Sequence, residues 1–255
     1  RTMVDADSTV GLLPIKAAMD VKKRYADRIH FEVGVQPLQG VLDPASFAQY
    51  AEACELADYC GGLPSRDRPT PEKHLDVILS LAKKLGKPVD VHIDQENNPL
   101  ENETELLAEK TIEHGMQGRV FGVHAISLSA KEDREQDRII EKVKEADLGI
   151  IICPSAALSM KQLPMSGPLH NSIAPYVKLR EAGVRCYLGV DNVHDLFMPM
   201  VDGDIWTECR MLMEATRFYD IDAVAEWACA KPITAMAGVG AMDEAVPAKK
   251  RAAGA

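Results

Sequence analysis

The chain has no cysteine pair at CxxC spacing, no apolar run near the roughly 20 residues a membrane helix needs, and no excess of basic charge. Its six cysteines (Cys54, Cys60, Cys153, Cys186, Cys209 and Cys229) are scattered. Unpaired in spacing, they read as reduced residues of a cytoplasmic protein, not as a disulfide frame or a zinc knuckle. The missing apolar run, with no secretory pattern, argues against a membrane role. A formal net charge of −10 argues against a nucleic-acid or anionic-lipid partner. The glycines Gly34, Gly61, Gly62 and Gly122 lie in or beside apolar runs without phosphate-loop spacing, so they read as packing positions. Pro154-Ser155 has no paired base in sequence, which sets a serine nucleophile aside.

What is present is a rhythm. Seven β-branched or apolar runs read as strands: Thr2–Asp5, Ile29–Gln36, Ala57–Leu63, Val89–Asp94, Gly118–Ala125, Leu148–Cys153 and Val184–Asp191. Helical periodicity fills the gaps over Leu12–Tyr25, Pro44–Glu55, Pro71–Leu85, Glu101–His114, Lys131–Lys144 and Ile173–Ala182. Two more helices, over Gly203–Phe218 and Ile221–Ala230, follow the last strand. Asp43 and Thr70 suit N-caps, and Gly86, Gly115 and Gly183 suit helix stops. Strand–helix alternation of this kind predicts an α/β fold with a parallel sheet, here a (β/α)8 TIM-type barrel. The length suits one such domain, residues 1–244, followed by an Ala/Lys-rich disordered tail, 245–255. A closed barrel wants eight strands, so this one is expected to be incomplete, with its first strand missing. The start at Arg1, without an initiator methionine and almost on a strand, supports an N-terminally shortened chain.

Three of these runs end in a metal-binding side-chain type: His92, His124 and Asp191. In a βα barrel the C-terminal strand ends converge on one mouth. Two imidazoles and a carboxylate there make a partial ligand set for one divalent ion.

At these residues the chain resembles the amidohydrolase superfamily, in its cytosine deaminase and N-isopropylammelide amidohydrolase branch. Val91-His92-Ile93-Asp94-Gln95 is similar to that branch's fifth strand, Gly118–Ala125 to its sixth, and Gly189-Val190-Asp191-Asn192-Val193 to its eighth. Thr111–Val120 resembles the helix before the sixth strand, and Asp191–Phe197 the eighth-strand loop. Arg1–Asp5 resembles the second strand, so the likeness runs from Arg1 to about Gly238.

The resemblance implies a metal-dependent hydrolase that cleaves a C–N bond of a small N-heterocycle by deamination or dealkylamination. It implies His92, His124 and Asp191 as ligands of one Zn or Fe ion, with Asp191 also taking a proton from the attacking water. Neutral imidazoles bind without cancelling the ion's charge. The family's first-strand His-x-His pair has no match in this chain. Gln95 stands where the deaminases carry a proton-shuttling glutamate, and an amide cannot shuttle protons. Asp94 or Glu96 could take that part, and strict alternation puts Asp94 on the face of His92. Leu38, in place of a pyrimidine-reading glutamine, points to a less polar or alkylated ring than cytosine. Leu38, Asn192, His194 and Phe197 are the candidate substrate contacts. The competing reading is a catalytically inactive, shortened barrel acting only by association. Under either reading the unpartnered edges, Thr2–Asp5 and Val184–Asp191, predict a homo-oligomer, or a barrel whose gap is plugged by the N-terminal or C-terminal segment.

Overall fold

The computed structural model describes residues 1–164 and 167–229. The expected tail at 245–255, and the domain boundary before it, lie outside the described residues. Seven strands form one all-parallel sheet in sequence order. They are β1 (Thr2–Asp5), β2 (Val33–Gln36), β3 (Tyr59–Gly62), β4 (Val89–Ile93), β5 (Val120–His124), β6 (Gly149–Ile152) and β7 (Arg185–Leu188). The helices are α1 (Leu13–Arg24), α2 (Pro44–Leu56), α3 (Pro71–Leu85), α4 (Glu103–Glu113), α5 (Ile126–Ser129), α6 (Asp133–Glu145), α7 (Pro154–Ser159), α8 (Tyr176–Glu181), α9 (Ile205–Thr216) and α10 (Ile221–Ala228).

Every expected strand forms, most of them shorter than the apolar run that announced it. β2 begins at Val33, not Ile29, because pairing starts only where β1 arrives: Thr2 N donates to Glu32 O. α5 and α7 were not anticipated. At four and six residues they are too short to show a period. Asp43 caps α2 by accepting from Ser46 N at 2.8 Å. Thr70 does not cap α3; its hydroxyl donates backward to Asp67 O. Gly86 closes α3 in the left-handed conformation, at φ 71°, as its lack of a Cβ allows.

Alternation along the strands sorts side chains onto two faces. Val33, Val35, Val89, Val91, Ile93, Val120, Ile150 and Ile152 face the helices and form the larger core with Leu75, Ile78, Leu79 and Leu107. Each such side chain contributes about 1.5–3 kcal/mol by leaving water. The opposite face builds a second cluster from Tyr59, Phe121, Val123, Ile151 and Cys153, against which Met3 of β1 and Tyr187 of β7 both pack. Strands from the two ends of the sheet therefore share one interior, and the sheet is curled around it. Arg1 also enters this interior, 3.2 Å from Asp90 and over the rings of Tyr59 and Phe121. Among the described residues β1 pairs only with β2 and β7 only with β6.

Candidate active site

The C-terminal ends of β4, β5 and β7 bring three side chains together. His92, His124 and Asp191 each offer a ligand atom, and these atoms all lie within 4.8 Å of one another. The His92 and His124 rings are 5.2 Å apart between centroids. His124 Nε2 stands 3.8 Å from Asp191 Oδ2. His124 is buried; His92 and Asp191 are partly so.

Two of these positions depart from strand geometry. From Phe121 and Val123, both interior, alternation would send His124 to the helix side. The backbone instead turns left-handed at His124 (φ 79°) and Ala125 (φ 52°), and the ring lies beside His92. Asp191 also has a positive φ, 61°. Non-glycine residues held there cost strain that the surrounding fold must overcome, a pattern concentrated at functional sites.

Burial, and then the neighbouring His124, lower the pKa of His92 to about 4. Burial alone lowers that of His124 to about 4. Both rings are thus neutral near pH 7, the state in which an imidazole can ligate a cation. Burial raises the pKa of Asp191, and His92 opposes that rise. His124 Nδ1 is buried without a hydrogen-bond partner. His92 Nδ1 lies 3.2 Å from the side-chain nitrogen of Gln36, which leaves Nε2 as the unengaged ring nitrogen. Two neutral nitrogens, one carboxylate and an unsatisfied buried ring atom fit a divalent ion that completes its shell with water.

Asp94 does not join them. Alternation placed it with His92, but the chain turns left-handed at Asp94 (φ 48°) and directs the carboxylate onto the start of α4. There it accepts from Glu103 N at 2.9 Å, Thr104 N at 3.0 Å and Thr104 Oγ1 at 2.5 Å. Glu103 returns the bond by accepting from Asp94 N. Fully buried and so occupied, Asp94 serves as a helix cap, which corrects its reading as a proton carrier. Gln95 follows it, partly buried, and Glu96 is exposed.

The candidate substrate contacts lie in two loops. Leu38 is 37% exposed after β2. Asn192 donates to Asp195 Oδ2 at 2.7 Å, and His194 Nδ1 lies 3.2 Å from Pro199 O, so both are engaged within their own loop. Phe197 is 79% exposed.

Sequence reasoning missed two residues here. Gln36 shares the interior face with Gly34, a parity that could have been read from β2. Glu208 is buried on the apolar stripe of α9 with Cys209, Leu212 and Met213, and an acid on such a stripe was the available signal. Its Oε2 accepts from Ser155 N at 2.8 Å, and its pKa is raised by burial, with the Asp191 charge a smaller contribution.

The fold has counterparts in known proteins. An uncharacterized protein of Haemophilus influenzae is 37% identical over 68% of this chain and 64% of its own length. The N-isopropylammelide isopropyl amidohydrolase of Pseudomonas sp. is 27% identical over 80% of this chain and 48% of that protein. The crystal structure of 5-methylcytosine deaminase from Klebsiella pneumoniae, liganded with 5-fluorocytosine, superposes with a TM-score of 0.82 at 21% identity, covering 93% of this chain and 59% of that one. This last likeness shows the fold, seven parallel strands of the TIM-barrel type with surrounding helices. The chain spans between 48% and 64% of the length of these two curated relatives. Residues 40–241, which carry all three clustered side chains, match the amidohydrolase family, and the chain belongs to it.

Proposed function

We propose that this protein is a metal-dependent hydrolase acting on a C–N bond of a small N-heterocycle, by deamination or loss of an alkylamine. The observation that carries this is the meeting of His92, His124 and Asp191 at one end of the sheet, with ligand atoms within 4.8 Å. His92 and His124 would hold the ion through neutral nitrogens and Asp191 through its carboxylate. Bound there, a Zn or Fe ion would supply positive charge that lowers the pKa of water toward neutrality. Asp191 then takes the proton of the attacking water, since it is the one carboxylate of the cluster. Gln95 cannot return that proton to the leaving nitrogen and Asp94 is tied to α4, so proton delivery is the weak step. Leu38, Asn192, His194 and Phe197 would line the substrate side, and Leu38 favours a less polar, alkylated ring. The relative named an N-isopropylammelide isopropyl amidohydrolase supports the substrate class.

The test is to load the purified chain with zinc or iron and assay ammonia or amine release from a panel of aminated pyrimidines and triazines. Release abolished by Asp191→Asn supports the reading. No release despite a full metal complement favours the second reading, an inactive barrel. In either case we place the protein in the cytoplasm. Among the described residues no helix is long and apolar enough to cross a membrane.

Assembly belongs to the same proposal. Among the described residues β1 and β7 each have one strand neighbour, and such edges are association sites. A homo-oligomer, or a barrel whose gap is plugged by a terminal segment, is expected; a monomer in sedimentation with both edges bare in a crystal would refute it.

A further inference from the structure

Gln36 ends β2 on the interior face, two residues beyond Gly34, whose missing Cβ would otherwise meet the Tyr59 ring at 2.2 Å. Its side-chain nitrogen lies 3.2 Å from His92 Nδ1, although β3 separates their strands. On β3, between those strands, Gly61 packs closely against its neighbours. A Cβ there would stand 2.1 Å from both Met3 Cε and the Val35 carbonyl oxygen. In this setting the amide oxygen of Gln36 is buried without a donor. So is Asp90 Oδ1, on the residue in register with Gly61. The Gln36 amide thus turns its nitrogen toward a ring nitrogen and leaves its oxygen buried without a donor.

A glutamine's oxygen and nitrogen exchange places by a half-turn of the amide. With the nitrogen toward His92, Nδ1 must accept and the ring proton sits on Nε2, where it blocks ligation. With the oxygen toward His92, Nδ1–H donates and Nε2 carries the free lone pair. Ligating histidines commonly have their second nitrogen fixed by such an acceptor.

We propose that Gln36 is a positioning residue for His92, its amide oxygen accepting from Nδ1–H and so holding Nε2 free for an ion shared with His124 and Asp191. The inference rests on the metal-site reading above.

Two measurements on the full chain test it. Nitrogen-15 NMR of the metal-free protein, with the His92 signals assigned through His92→Gln, reads the tautomer. Cobalt(II) titration followed by its visible spectrum reads affinity and ligand geometry. Wild type is expected to show Nδ1–H at His92. Gln36→Leu, similar in volume but unable to accept, is expected to lose that tautomer preference and to bind cobalt about 10- to 100-fold more weakly. Gln36→Glu keeps an acceptor and is expected to retain both. A wild-type His92 protonated on Nε2 overturns the inference, as does a Gln36→Leu protein with unchanged tautomer and cobalt binding. If wild type takes up no cobalt, the metal reading fails by itself, and the tautomer still decides the role of Gln36. If Gln36→Leu fails to fold, the wild-type tautomer remains decisive.

Discussion

His124 Nε2 and Asp191 Oδ2 stand 3.8 Å apart across the top of β6, too far for a hydrogen bond. The pair is not an ion pair at neutral pH, because burial lowers the His124 pKa to about 4. A neutral imidazole and a carboxylate held at that separation, with His92 beside them, suit a shared third partner better than each other.

Cobalt or zinc should bind at about one equivalent and be stripped by chelator dialysis, because three protein ligands make a weaker site than a full set. His124→Ala and Asp191→Ala should each abolish uptake. Elemental analysis before and after dialysis decides it, and a full equivalent that survives chelation would contradict the weak-site expectation.

Acid should destabilise the metal-free protein through the two imidazoles. Their folded pKa values, about 4, lie below the ordinary 6.5, so between those values the unfolded chain binds protons the folded chain refuses. The stabilisation is therefore complete above the unfolded pKa and is lost as pH falls toward about 4. With both groups contributing, the slope reaches at most about 2.7 kcal/mol per pH unit. Urea midpoints across this window should fall with pH in wild type and fall less in the His92→Gln/His124→Gln protein.

Asp94→Ala should destabilise the fold by about 2–4 kcal/mol, combining a lost helix cap with buried N–H groups left unpaired. Asp94→Asn, which keeps one acceptor, should cost less. Urea unfolding with an unchanged slope measures both. A loss under about 0.5 kcal/mol, the range of a neutral surface change, would show that the α4 contacts are incidental.

Gln95→Glu should raise deaminase turnover, because a positioned acid–base group is typically worth about 10²–10⁴-fold in rate. The comparison is best made with metal-loaded protein on the heterocycle panel. Equal rates for wild type and variant would mean that another residue already delivers the proton.

The repeating pattern was legible because it is local. Valine and isoleucine at alternate positions of β4, and glycine stops after α3 and before β7, act within a few residues, so strand number and helix order could be read directly. The types of His92, His124 and Asp191, each at the end of an apolar run, announced a cluster. What alternation could not reveal was direction once the backbone leaves the extended region. Asp94 and His124 both turn left-handed, one away from its expected face and the other toward the site. The first turn is held by the amide hydrogens of α4, the second by packing of the following segment, Ala125 to Leu128, which is buried throughout. Gln36 was missed for a different reason. Its partner lies two strands away, across a glycine, and only curling the sheet brings them together. Residue order sets which side chains can occupy the strand ends. Long-range packing, which selects the few strained backbone angles there, decides which of them meet.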